Sequence, residues 1–355
     1  RHFELYYGIS GMGAIVHTVN ARLFSQQIHY ILQHASDKFI FIDASLVPLI
    51  EQIIQKLPSV KGIIINCSAH NMPVTTLKNV YCYETLIAEQ SDAYHWPSLP
   101  AHAPCCLCYT SGTTGHPKGV LYSHQSTVLH AMMSGSSQLL DFNHASVVMP
   151  VVPMYHVVAW GIPFSAPLYG ATLVLPGPSL DGESIHQLIH SQQVNKAYGV
   201  PEVWSGLHQY LQQSGNRVPS LLHIGVGGSA SPAALVKIYG EKYGVYWMGI
   251  WGMTETSPLV TAAIYEPFMA NMDPQDRYRL QASAGRAIFG CEIAIFAHDQ
   301  TPLPHDGITQ GQLKVRGPWI MSHYFKEKPP KKNKHAWFDT GDTATIDPQG
   351  YLRII

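Results

Sequence analysis

The chain has 355 residues, enough for two or three structural units or one large layered domain, and ample for a sizeable buried core. Lys plus Arg number 22 against 23 for Asp plus Glu, so no net field recruits nucleic acid or an anionic membrane surface. Charged residues make up 13% and apolar residues 46%, with 20 His, 29 Gly and 25 Pro filling much of the difference, which excludes disorder and low complexity.

The six cysteines, Cys67, Cys82, Cys105, Cys106, Cys108 and Cys291, have no regular spacing, which points to a reducing compartment and a cytoplasmic location rather than a disulfide scaffold. Cys105 and Cys108 formally make a CxxC, but no second pair stands at metal-ligand spacing and the run reads as a buried strand. Arg1 is not an initiator Met, and the first 30 residues show no charged head followed by an apolar run, so no targeting signal is expected and the sequence reads as starting mid-gene.

Short β-rich runs alternate with amphipathic stretches, the pattern of parallel strands joined by helices. Strands are predicted at 38–43, 61–66, 105–110, 146–151, 171–175, 221–226 and 245–249, and helices at 25–35, 46–57, 124–139, 183–193, 201–213 and 231–240. Ser231 is predicted to cap the last helix, with Pro232 in its first turn. Residues 142–180 contain no Asp, Glu, Lys or Arg, yet six prolines (Pro150, Pro153, Pro163, Pro167, Pro176 and Pro178) break them, so buried strands and short helices are expected there rather than a membrane span. From about 281 the texture becomes short strands and turns. The expected organisation is a layered α/β core over 1–280 and a small β-rich, barrel-like unit over 281–355.

The sharpest chemical signal is Tyr109-Thr110-Ser111-Gly112-Thr113-Thr114-Gly115-His116-Pro117-Lys118-Gly119, between an apolar strand and the β-like run Val120-Leu121-Tyr122. Glycines let backbone N–H groups close around anionic oxygens, hydroxyls add neutral donors, and Lys118 supplies a cation. It is a phosphate loop by composition but not a Walker loop, because the fifth position after Gly112 is Pro117 and no helix follows directly.

This loop resembles the signature of the adenylate-forming enzymes: acyl-CoA synthetases, firefly luciferase and the adenylation domains of peptide synthetases. The same order continues with Met154-Tyr155-His156, Gly227-Gly228-Ser229-Ala230, Gly252-Met253-Thr254-Glu255, Gly285-Arg286 and Phe338-Asp339-Thr340-Gly341-Asp342, and the wording around them is most similar to the fatty-acyl-CoA ligases. The resemblance implies a layered αβαβα large domain. It also implies ATP, Mg²⁺ and CoA as reactants or cofactors, and activation of a medium- or long-chain fatty acid to acyl-AMP followed by transfer to CoA. These small molecules are the expected partners, with no nucleic acid and no transmembrane segment; a homodimer is compatible with it.

Carried over residue by residue, Lys118 and the hydroxyls of Thr110, Ser111, Thr113 and Thr114, with Gly112 and Gly115, would hold the β- and γ-phosphates. Thr254 would donate to the α-phosphate and Glu255 would hold Mg²⁺. Asp342 would accept from both ribose hydroxyls. Gly227, Gly228, Ser229 and Ala230 would lie against adenine, with Trp251, Gly252 and Met253 opposite; the family usually has Tyr where Trp251 stands. His156 would help position the reacting carboxylate, against the plain alternative of a core histidine. Tyr155 and Trp160 would line the acyl pocket, and Trp204 would gate it or be a core Trp at helical spacing.

Competing readings come from other classes. Gly225-Val226-Gly227-Gly228-Ser229-Ala230 fits Gly-x-Gly-x-x-Ala, which would suit an NAD(P)-dependent oxidoreductase, but 246–250 lacks the acidic residue that reading needs. A nucleotide-binding fragment without turnover is the other. The resemblance places Ile355 just short of the family's hinge, so a small C-terminal domain carrying a second catalytic lysine, and part of the N-terminal region, are expected to lie outside this sequence.

Overall fold

A computed structural model of the protein describes residues 1–110, 115–328 and 337–355. Its packing divides into two compact units, Arg1–Ser123 with Tyr324–Lys326, and His124–His323 with Glu327–Ile355.

The first unit runs α1 (His2–Gly11), β1 (Val16–Thr18), α2 (Ser25–Ala35), β2 (Phe39–Ile42), α3 (Val47–Ile53), β3 (Gly62–Ile65), β4 (Val80–Cys82), α4 (Tyr83–Ala88), β5 (Pro104–Tyr109) and β6 (Gly119–Ser123). Strands β2, β3 and β4 form a parallel sheet. Alternate residues Ile40, Ile42, Ile63 and Ile65 face Ile28 and Leu32 of α2 and Val47, Ile50 and Ile53 of α3, so strand and helix periodicities meet in one core. A second sheet joins β1 parallel to β5, and β5 antiparallel to β6 with Tyr109 opposite Gly119. The phosphate loop is therefore the connection between two paired antiparallel strands.

The second unit starts with α5 (His124–Gly135), then builds a seven-stranded sheet from β7 (Val147–Pro150), β8 (Thr172–Leu173), β9 (Lys196–Gly199), β10 (His223–Val226), β11 (Tyr246–Gly252), β12 (Leu259–Ala262) and β13 (Arg286–Ala287). The order is β13-β12-β11-β10-β9-β7-β8; the five strands from β8 to β11 are parallel, and β12 and β13 run antiparallel. One face packs Met149, Ala197, Ile224, Val226 and Trp247 against Ile185, Ile189, Leu207, Leu211 and Val236 of the helices Gly182–Gln192, Pro201–Ser214 and Ala233–Ile238. The other face packs Val148, Tyr198, Met248 and Ile250 against Leu139, Phe142, Ile162 and Ala166. The expected α/β layering is thus present, helix against sheet against helix. The C-terminal region is a four-stranded antiparallel sheet of β14 (Glu292–Phe296), β15 (Gly311–Arg316), β16 (Phe338–Ile346) and β17 (Leu352–Ile354).

Several details depart from the sequence reading. Strand β9 was not predicted because it opens on a lysine; Lys196 is buried, and its ammonium is matched by the Leu140 carbonyl at 2.8 Å and by Asp141. Strands β1, β4 and β12 and the helices His2–Gly11, Tyr83–Ala88 and Pro274–Ala282 also went unpredicted. Ser231 does not cap its helix, which begins at Ala233 with no side-chain cap; its hydroxyl accepts instead from the Trp247 indole at 3.0 Å. Among the described residues no helix is long and apolar enough to cross a membrane.

Candidate active site

In the first unit the stems of the phosphate loop are tied at one point. Thr110 N donates to Lys118 O at 2.9 Å, and Lys118 N donates back to Thr110 Oγ1 at 3.3 Å. Gly115 and Lys118 are exposed, as a loop that receives phosphate requires. Ser111, Gly112, Thr113 and Thr114 lie outside the described residues.

In the second unit the candidates gather at the carboxyl ends of β10 and β11, where open α/β sheets present their ligand crevices. Gly227 follows β10 so closely that an added Cβ would lie 2.8 Å from Ile250 O and 3.5 Å from the Trp160 ring, and Gly228 adopts φ +85°. Ser229 and Ala230 are exposed beside them. At the end of β11 a Cβ on Gly252 would stand 1.9 Å from Pro258 O, so this position accepts only glycine. Met253 N then donates to Thr256 Oγ1 at 2.9 Å and opens the 3₁₀ turn Thr254–Thr256. That turn holds Thr254 and Glu255 each at 6% exposure, with Glu255 O accepting from Met321 N at 2.9 Å. A carboxylate so deeply placed is rare outside sites where it is used.

Asp342 lies in β16, where Gly341 at φ +80° turns the strand and Asp342 N donates to Thr340 Oγ1 at 3.1 Å. Burial pushes the Asp342 carboxyl above its ordinary range, and the nearby Trp251 indole pulls it part of the way back. The candidate adenine-stacking and ribose-accepting residues are therefore neighbours.

The uncharged segment forms an unusual turn. Val157, Val158, Ala159 and Trp160 have φ of 48°, 52°, 45° and 59°, all left-handed, and Gly161 follows at 74°. β-Branched valines are strained in this region, and such strain gathers at functional sites. The turn directs Trp160 toward Gly227. His156 precedes it, exposed by area, yet its surroundings desolvate the imidazole and lower its pKa. Tyr155 is half-buried alongside.

Trp204 is placed apart from these residues. It is 0% exposed within the core beneath β9 and β10, and its indole N–H donates to Gly199 O at 3.4 Å. Trp160 packs with the core on the opposite face of the seven-stranded sheet, so the two tryptophans do not line one pocket. Trp204 is a core residue, in line with Leu207 and Leu211 at helical spacing.

Sequence reasoning missed His130 of α5. It is fully buried, its Nε2 accepts from Leu259 N at 3.3 Å, and an added Cβ at Gly161 would lie 2.7 Å from its ring, so it supports the left-handed turn from beneath. A histidine inside an apolar helix gives no signal of this in sequence.

The comparisons agree with this geometry. Residues 1–325 match the family model described as AMP-binding enzyme. A medium-chain-fatty-acid–CoA ligase from Ectopseudomonas oleovorans is 43% identical over 354 residues, covering 100% of this chain and 65% of that protein. A 3-methylmercaptopropionyl-CoA ligase from Ruegeria lacuscaerulensis is 42% identical over 354 residues, again 100% of this chain and 66% of that protein. The chain thus spans just under two thirds of the length of these relatives. A crystal structure of an anthranilate CoA ligase in complex with anthranoyl-AMP has the same fold, with a TM-score of 0.85 at 22% identity over 98% of this chain and 64% of that one. With the family model matched over residues 1–325, the chain belongs to the AMP-binding enzyme family.

Proposed function

We propose that this chain is the nucleotide- and acyl-binding part of an AMP-forming acid–thiol ligase that activates a medium- or long-chain fatty acid or a similar hydrophobic carboxylate. The observation that carries the reading is that Trp251 and Asp342 are neighbours, which sets a flat π-face for a base beside a two-oxygen acceptor for a ribose. A free carboxylate is a poor electrophile. In the first half-reaction its oxygen attacks the α-phosphorus of ATP, a new P–O bond forms, and the bond to the bridging oxygen breaks as pyrophosphate leaves with the electron pair. No protein nucleophile is required; the work is alignment and charge neutralisation.

Lys118 meets the charge growing on the leaving pyrophosphate, and Thr254 donates toward the α-phosphate. Glu255, a hard oxygen donor nearly excluded from water, suits a divalent cation and would hold Mg²⁺, which when bound neutralises phosphate charge. His156, kept neutral by desolvation, orients the incoming carboxylate by hydrogen bonding, and Trp160 and Tyr155 supply apolar wall. In the second half-reaction the CoA thiol, losing its proton, attacks the acyl carbonyl and AMP departs.

The test is ATP–pyrophosphate exchange across a panel of acids. Exchange with octanoate and longer chains is expected; preference for amino acids refutes the assignment. A second substrate reading has its own support, because the relative that acts on 3-methylmercaptopropionate is nearly as similar as the medium-chain one. That acid belongs in the panel, and its dominance over octanoate would select the second reading.

A further inference from the structure

We propose that Tyr30 and His34 of α2 are positioning residues for the phosphate loop, clamping both its stems so that Lys118 is presented at a fixed reach to the leaving pyrophosphate. This rests on the functional reading above. The motif itself assigns phosphate contacts to hydroxyls, glycines and Lys118, and leaves Tyr109, His116 and the whole of α2 without a part.

The contacts form a continuous chain from one stem to the other. His34 Nδ1 and the Tyr109 hydroxyl are 2.6 Å apart. The His34 ring is stacked on Tyr30, one helical turn away, at 5.5 Å and 16°. Tyr30 in turn is stacked on His116 at 4.4 Å and 21°. Tyr109 enters the loop and His116 leaves it, so one helix face touches both stems.

The ionisation states favour the same arrangement. Burial, and then the neighbouring Lys326 ammonium, hold the His34 imidazole below its usual range, while burial beside Asp37 raises the Tyr109 phenol. A neutral imidazole accepts and a protonated phenol donates. Lys326 Nζ also donates to His34 O at 2.6 Å, which fastens the end of α2.

The need for a clamp follows from the loop's anchoring. The paired hydrogen bonds between Thr110 and Lys118 tie the two stems to each other but not to the rest of the unit. An attachment to α2 fixes them to the fold, and small misplacements of a charge-stabilising group are costly in rate.

The experiment uses pyrophosphate exchange by the full-length gene product, with kcat and KM separated and thermal melting recorded for every variant. Tyr30→Ala and His116→Ala should each lower kcat about tenfold while KM for octanoate stays unchanged. Tyr30→Phe and His116→Phe, which keep a stacking ring, should stay within about twofold of the wild type. His116 is exposed, so its substitution tests the clamp without endangering the fold. His116→Ala at wild-type kcat overturns the inference, and so does a Tyr30→Phe variant as impaired as Tyr30→Ala. A wild type that exchanges no pyrophosphate with any acid fells the functional reading and this inference with it, an outcome distinct from wild-type turnover with an unaffected His116→Ala.

Discussion

The Lys118 ammonium lies 4.5 Å from the centroid of the Tyr324 ring. A cation held over a phenol at a partly exposed site gains about 0.5–1 kcal/mol. Phosphate oxygens compete with the ring for the same charge, so Tyr324→Leu should bind ATP about two- to fivefold more tightly. Calorimetry with the chain and ATP checks this. Weaker binding would mean that the ring presents the ammonium rather than retaining it.

Lys118 and Asp342 should differ in the stage at which they act. Charge on the leaving pyrophosphate develops only as the bond breaks, so Lys118→Ala should lower the exchange rate far more than it weakens ATP binding. Ribose contacts exist before reaction. Asp342→Ala should weaken ATP binding itself by about 1.5–3 kcal/mol, the worth of hydrogen bonds to a charged group. Equal losses of affinity from both changes would contradict the division.

Asp342 also predicts a pH limit. Its carboxyl is raised by burial, so it takes up a proton at a higher pH than an ordinary aspartate. Nucleotide affinity should therefore fall, as pH is lowered, before exposed carboxylates titrate. Trp251→Phe keeps the stacking face but removes the N–H that favours the ionised form, and should move this acid limit still higher. Affinity measured against pH for the two proteins decides it: an unshifted limit would show that the indole does not act on Asp342.

Much of this was legible in sequence, for identifiable reasons. Runs such as Phe39–Ile42 and Gly62–Ile65 are apolar and β-branched, and they form strands where expected. Strand β9 was hidden because Lys196 finds carbonyl partners that lie far away in sequence. For Trp204 the helical spacing to Leu207 and Leu211 pointed to the core, and its side chain is packed there. Tyr30 and His34 could be placed on one face of α2, but nothing local says that His116 comes to meet them. The nearness of Trp251 to Asp342 likewise depends on how β11 and β16 are brought together, which no short motif encodes.

The last prediction concerns His130 and acid stability. Complete burial drives its pKa down to about 3, with the neutral ring accepting from Leu259 N and lying edge-on to Trp319 at 5.9 Å. In the unfolded chain the same imidazole titrates near its ordinary value of about 6.5. Between those two values the unfolded state carries one more proton than the folded state, so stability falls as pH is lowered. The contribution is fully present above the unfolded value and is lost progressively as pH drops toward the folded one. The slope for one proton is about 1.4 kcal/mol per pH unit, and the whole window is worth on the order of 4–5 kcal/mol as an upper bound. Other histidines here, His34, His156 and His223 among them, also have lowered values, so the slope of the wild type alone does not isolate His130. His130→Gln does. Its amide oxygen can still accept from Leu259 N but takes up no proton, so the variant's stability should fall less steeply with acid by about one proton's slope. Urea unfolding from about pH 7 down to pH 5 measures both slopes. If they coincide, His130 is not the group that makes the fold sensitive to acid, and its imidazole titrates in the native state much as it does in the unfolded one.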